Sequence, residues 1–150
     1  MSCMGHTGGR SRQRDARSAF LVSVAGGIDA PRAARRSVID RLDGDVDSTA
    51  REILTLLIGE VVTNSVVHAR ADTASQIDLN VSFPPGAVRV EVSTPGAPFT
   101  RPPVVRNPVA PVRGGRGLVL VDRLSRDWGG EPGDVNMVWF ELETPTGVAV

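Results

Sequence analysis

One segment in the middle of the chain constrains the fold more than any other. Residues 51–69 read REILTLLIGEVVTNSVVHA, and their apolar side chains lie nearly all round a helix. A helix of this kind has to be largely buried against other elements of a domain. We therefore predict a long helix over about 49–69, with Ser48 or Thr49 as its N-cap.

Three polar residues interrupt this apolar helix at successive four-residue steps: Glu60, Asn64 and His68. At about 100° per residue they form one polar face along the last two turns. A carboxylate and an amide in a Leu/Ile/Val surface are costly unless something pairs with them. The pattern alone leaves two explanations open, a satisfied structural hydrogen-bond network or a ligand or metal site. For His68 we expect a packing and hydrogen-bonding role.

The composition excludes several chemistries. All 17 basic residues are arginine, so the chain has neither a Walker-type phosphate-binding lysine nor a Schiff base. One cysteine and two histidines exclude an internal disulfide and a multi-thiolate or multi-histidine metal centre. The 17 acidic residues bring the formal net charge to zero, which argues against a nucleic-acid partner. No apolar run reaches the roughly 20 residues of a membrane span, so we expect a cytoplasmic protein.

Hydrophobic patterning predicts one domain over 18–145, between a disordered leader at 1–17 and a tail at 146–150. Pro84, Pro85 and Gly86 separate two alternating segments and predict an antiparallel hairpin. Asp29 is expected to cap the first helix, and Trp128, Trp139 and Phe140 are expected in the core. The expected strands cover 18–24, 76–83, 87–93 and 135–143, and the expected helices end near residues 42, 69 and 124.

Two further segments suggest a binding site. Six prolines in 94–114 forbid regular structure, and a loop this long inside a compact domain is typical of a functional lid. Gly115, Arg116, Gly117 and Leu118 then open the third helix. Glycines allow close approach of the backbone to an anion, and a helix N-terminus presents unpaired N–H groups to it.

At this point the sequence resembles a known family. The segment from Glu60 to His68, EVVTNSVVH, is similar to the N-box of the Bergerat-fold ATPase superfamily, which includes gyrases, histidine kinases and heat-shock chaperones. Residues 115–118, GRGL, resemble its second glycine box. The order of elements over 20–142 most resembles bacterial anti-sigma-factor serine kinases, which abound in actinomycetes. The resemblance implies an α/β (α+β) two-layer sandwich, whose mostly antiparallel sheet is covered on one face by about three helices.

The resemblance also implies a mechanism that uses ATP and Mg²⁺. Asn64 would coordinate the cation, and Glu60 would act on the nucleophile, a serine of a partner protein or a water. Gly115 and Gly117 would hold the phosphates through backbone N–H groups, with Arg116 beside them, and Leu118 would belong to the same nucleotide-binding segment. The implied partners are a sigma factor, an anti-sigma-antagonist protein or both, and a homodimer is compatible with the family.

One family motif is altered. The superfamily places Asp-x-Gly-x-Gly after a strand, and its Asp accepts a hydrogen bond from the adenine amino group. Here Thr94 stands at the Asp position and Pro98 at the second Gly, while Gly96 is retained. Loss of the charged hydrogen bond would weaken adenine recognition by about 1.5–3 kcal/mol, or roughly 10–150-fold. Two functions are therefore open: an ATP-dependent serine/threonine kinase, or a non-catalytic partner-switching binding module with a degraded nucleotide site.

Overall fold

The structure is a computed structural model that describes residues 18–42, 44, 46–68, 72–95, 116–131 and 135–144. The expected leader, the tail from 146 and the lid from 96 onward lie outside these residues. Thr94 and Pro95, which were expected to begin the lid, are instead the last two residues of a strand. The helices and strands are, in chain order, β1 (Phe20–Ala25), α1 (Ala30–Arg41), α2 (Ser48–His68), β2 (Gln76–Ser82), β3 (Ala87–Pro95), α3 (Arg116–Leu124), β4 (Asp127–Glu131) and β5 (Val135–Glu143).

The five strands form one antiparallel sheet in the order β1-β2-β3-β5-β4. The three helices cover one face of it: α1 packs on β1 and β2, α2 on β3 and β5, and α3 on β4. This confirms the expected two-layer fold. β4 was not predicted, and it adds an edge strand beside β5.

The core lies between the helices and the sheet, and the period-2 alternation of the strands explains it. On β3, Val88, Val90 and Val92 are fully buried, and Phe140 of β5 pairs with Val90 in the same layer. Helix α2 contributes further fully buried apolar residues. One face of α2 remains open, however, since Leu56 is 41% and Val67 is 61% exposed.

The two predicted helix caps compare differently with the structure. Asp29 is the N-cap residue of α1, as predicted, although its side chain makes no capping hydrogen bond. At α2 the cap is Asp47, whose carboxylate accepts a hydrogen bond from the Ala50 N–H at 2.7 Å, so neither Ser48 nor Thr49 is needed. The predicted hairpin is confirmed: the Ala87 N–H donates to the Pro84 carbonyl at 3.0 Å, across the turn.

The helix-free face of the sheet carries a charged cluster around β3 and β5. Arg89 bonds Glu91 at 2.9 Å and Glu141 at 3.2 Å, and Arg126 bonds Glu141 at 2.9 Å. The hydrogen bond from Arg126, supported by that from Arg89, holds the pKa of Glu141 below its usual value near 4.5. Trp139 lies under the Arg89 guanidinium, 4.0 Å from it, so this side chain packs on the outer face and not in the core.

Candidate functional site

The topology brings the ends of three strands to one end of the sheet, which we call the upper end. These strand ends are Gln76 of β2, Pro95 of β3 and Val135 of β5. Helix α2 finishes there, because its last residue is followed by the short connection to β2. Helix α3 begins there, because it leads to β4, which starts opposite the far end of β5. The C-terminal half of α2, the end of β3 and the N-terminus of α3 thus lie at the same end of the domain, and α2 packs against both β3 and α3.

Glu60 and Asn64 occupy the C-terminal half of α2. They are separated by one turn, about 6 Å of rise, and both are half-buried at the edge of its buried face. Within the described part of the chain, no hydrogen bond or ion pair involves either side chain. The two groups therefore have accessible polar atoms that no described residue satisfies.

Other polar residues of α2 behave differently. The Thr63 hydroxyl donates to the Gly59 carbonyl at 2.7 Å, and the Ser65 hydroxyl donates to the Val61 carbonyl at 3.2 Å. These four-residue back-bonds satisfy hydroxyls inside the helix itself. A satisfied structural network thus accounts for Thr63 and Ser65, but not for Glu60 and Asn64.

Thr94 is the third polar residue near the upper end. It continues the inward-facing series of β3, and its side chain is 1% exposed on the helix-covered face of the sheet. Its hydroxyl oxygen is the one fully buried side-chain polar atom without a hydrogen-bond partner among the described residues. An unpaired buried hydroxyl costs about 1–3 kcal/mol, so the fold retains an unfavourable group at this position.

The remaining predicted site residues are described less fully. Arg116 and Gly117 form the first turn of α3, one residue later than the expected start, and Leu118 is half-buried behind them. His68 is the last residue of α2. Gly96, Pro98 and Gly115 lie outside the described residues.

The donor chemistry of this end fits a magnesium nucleotide. In the described ranges, no group of three or more His, Cys, Asp or Glu side chains could form a protein cage for a metal ion. Mg²⁺ is commonly held by one or two protein oxygens together with substrate phosphates and waters. The Asn64 amide oxygen is compatible with that arrangement, and the unpaired Thr94 hydroxyl is compatible with a hydrogen bond to another part of the nucleotide.

A polar cleft of about 390 Å³ lies elsewhere, at the C-terminal end of α3. Asp122 lines it and accepts a hydrogen bond from the Trp128 indole at 2.9 Å, a contact that the sequence pattern gave no means to predict. The neighbouring Asp127 pairs with Glu141, five residues along β5 from Asn136, the partner of Thr94. At about 3.3 Å per residue, Asp127 lies roughly 17 Å along the sheet from Thr94, whereas Gly130, at the other end of the cleft, pairs with Val138, two residues from Asn136. The Asp127 end of the cleft is therefore separate from the upper end.

Comparison with known proteins identifies the family. The sequence model of the histidine kinase-like ATPase domain family matches residues 29–140, which is more than half of the chain. The chain therefore belongs to this family. The family includes kinases, and ATP is the ligand that it implies. No curated protein matches the chain.

Two similar solved structures share the fold. The blue-light activated histidine kinase of Erythrobacter litoralis EL346 is 23% identical, with a TM-score of 0.53, over 77% of this chain and 42% of that one. The histidine kinase domain of the same protein is 24% identical, with a TM-score of 0.50, over 80% of this chain and 66% of that one. The chain thus spans less than two thirds of either structure. In the described ranges, none of the helices is long and apolar enough to cross a bilayer.

Proposed function

We propose that the chain is an ATP-binding regulatory protein that transfers the γ-phosphate of ATP to a serine of a partner protein. In this proposal it is a serine/threonine kinase of the anti-sigma-factor type, and its partners are a sigma factor, an anti-sigma-antagonist protein or both. The observation that carries the proposal is the unpaired, half-buried pair Glu60 and Asn64 at the upper end of the sheet. Membership of the histidine kinase-like ATPase family supports it.

The two side chains would have different tasks. Mg-ATP, when bound, supplies the transferable phosphoryl group and neutralises part of its charge. The Asn64 amide oxygen would hold the cation, because a hard cation prefers oxygen ligands. The Glu60 carboxylate would accept the proton of the attacking hydroxyl and orient it. The first turn of α3, at Arg116 and Gly117, would present backbone N–H groups to the phosphates.

Isothermal titration with ATP, with and without Mg²⁺, tests the proposal. We expect micromolar binding that depends on Mg²⁺. Asn64→Ala would lower the affinity for Mg-ATP and remove most of its Mg²⁺ dependence. Thr63→Ala is the matched control: Thr63 is the next residue on the helix, and its hydroxyl is already bonded to Gly59. It would leave both quantities unchanged.

Glu60→Gln separates binding from transfer. The variant keeps the shape of the side chain, so it would bind ATP as the wild type does. Phosphoryl transfer, followed as ADP formation with the partner or with water as acceptor, would fall about 10²–10⁴-fold, the usual effect of losing a general base. A folded variant that transfers phosphate at the wild-type rate would rule out the catalytic role of Glu60.

The second candidate function is a non-catalytic partner-switching binding module. Thr94 favours it, because a neutral hydroxyl replaces the charged acceptor that the family uses for adenine. A folded protein that shows no ATP binding at millimolar concentration would support this module and contradict the kinase.

A further inference from the structure

The unpaired hydroxyl of Thr94 differs from a carboxylate in more than the strength of the hydrogen bonds that it forms. A carboxylate accepts hydrogen bonds and donates none, whereas a hydroxyl both donates and accepts, and its proton rotates to suit the partner. Thr94 is 1% exposed, and no described residue fixes the direction of its O–H bond. The hydroxyl is therefore free to meet either a donor or an acceptor.

On its own strand, nothing decides between a donor and an acceptor as the partner of the hydroxyl; across the sheet, Thr94 pairs with Asn136 of β5. The other inward-facing residues of β3 are Val88, Val90 and Val92, all fully buried and all apolar. No polar side chain on this face of β3 competes for the hydroxyl or sets its orientation. Any preference of the hydroxyl for a hydrogen-bond donor or for an acceptor therefore has to come from the ligand or from elements other than β3.

We propose that Thr94 is a specificity-determining residue that opens the nucleotide site to 6-oxo purines as well as to 6-amino purines. This inference rests on the proposed nucleotide site. The Thr94 hydroxyl accepts a hydrogen bond from the 6-amino group of adenine and donates one to the 6-carbonyl group of hypoxanthine or guanine. A carboxylate at the same place would accept from the amino group and repel the carbonyl oxygen.

The test compares ATP with inosine triphosphate, because the two nucleotides differ only at position 6 and in the proton on the neighbouring ring nitrogen. Isothermal titration of the whole chain with each nucleotide and Mg²⁺ gives two dissociation constants. For the wild type we expect them to agree within about threefold, since one neutral hydrogen bond replaces another. In Thr94→Asp the inosine nucleotide would bind at least about tenfold more weakly than ATP.

Two further variants keep the test valid even where the Thr94→Asp protein fails to fold because its new carboxylate is buried. Thr94→Val removes the hydroxyl and would weaken both nucleotides by a similar factor. Ser65→Ala is the control, because Ser65 is equally buried but its hydroxyl is bonded to the Val61 carbonyl. It would change neither constant by more than about twofold, once its fold is verified by its thermal transition.

The outcomes separate the inference from the function on which it rests. Similar constants for the two nucleotides in the wild type, and equal weakening in Thr94→Val, support it. Wild-type protein that binds ATP at least about tenfold more tightly than the inosine nucleotide overturns the inference and leaves the proposed function intact. A folded protein that binds neither nucleotide at millimolar concentration overturns both.

Discussion

Replacement of Thr94 by valine should make the protein more stable, although it removes a hydrogen-bonding group. In the native state the Thr94 hydroxyl is buried to 1% exposure without a partner, whereas in the unfolded chain it is hydrated. Folding therefore loses about 1–3 kcal/mol at this atom. Valine has nearly the same shape and places a methyl group there, so the free energy of unfolding should rise by about 1–3 kcal/mol.

Urea and thermal unfolding, followed by far-ultraviolet circular dichroism and by the fluorescence of Trp128 and Trp139, would measure this change. For a chain of this size, each kcal/mol shifts the transition by roughly 2–4 °C, so we expect an increase of roughly 2–12 °C. On the proposed role of the hydroxyl in binding, saturating Mg-ATP would raise the transition of the wild type by more than that of the variant.

The matched variant Ser65→Ala should have the opposite effect. Its hydroxyl donates to the Val61 carbonyl at 3.2 Å, so its removal should lower the free energy of unfolding by about 0.5–1.5 kcal/mol. A Thr94→Val protein that is less stable than the wild type would refute the reasoning, because it would show that the native hydroxyl has a partner.

Two other predictions concern the sheet. Gly129→Ala should lower the free energy of unfolding, measured in urea, by about 1–3 kcal/mol, because the new Cβ would meet the rigid Trp139 indole at 2.9–3.0 Å. In the control Gly59→Ala, the Cβ would meet only the flexible side chain of Arg35, at 2.9 Å, and the loss should be less than about 1 kcal/mol. Equal losses in the two variants would contradict this. Because the pKa of Glu141 is lowered in the folded state, its contribution to stability is present above about pH 4.5 and is lost as the pH falls through the folded pKa. The stability difference between wild type and Glu141→Gln should therefore shrink on acidification, as urea titrations between pH 7 and 3 would show, and a constant difference would contradict it.

Much of the fold follows from periodicity, and the errors have identifiable causes. β4, with the sequence DWGGE, lacks alternation and has two glycines, so nothing local predicts a strand. It forms because Trp128 packs on the core and bonds Asp122 of α3. The position of Trp139 was predictable from parity: Val138, Phe140 and Leu142 share the inner face, so the residue between them must point outward.

The candidate site was likewise predictable from the sequence only in part. The four-residue spacing of Glu60 and Asn64 places them on one helix face, and the sequence shows this directly. Whether they have partners depends on which side chains of other elements reach them, and the tertiary structure decides that. For the same reason the unpaired state of Thr94 could not be read from its position in the motif.

The location of the nucleotide site is the central claim, and a titration of ¹⁵N-labelled protein with Mg-ATP, followed by amide chemical shifts, tests it most directly. We predict the largest shifts at Glu60, Asn64 and Thr94 and in the first turn of α3, with little change around Asp127, roughly 17 Å from Thr94 along the sheet. Shifts confined to the Asp127 end of the cleft, with the amides of Asn64 and Thr94 unmoved at saturation, would contradict the account.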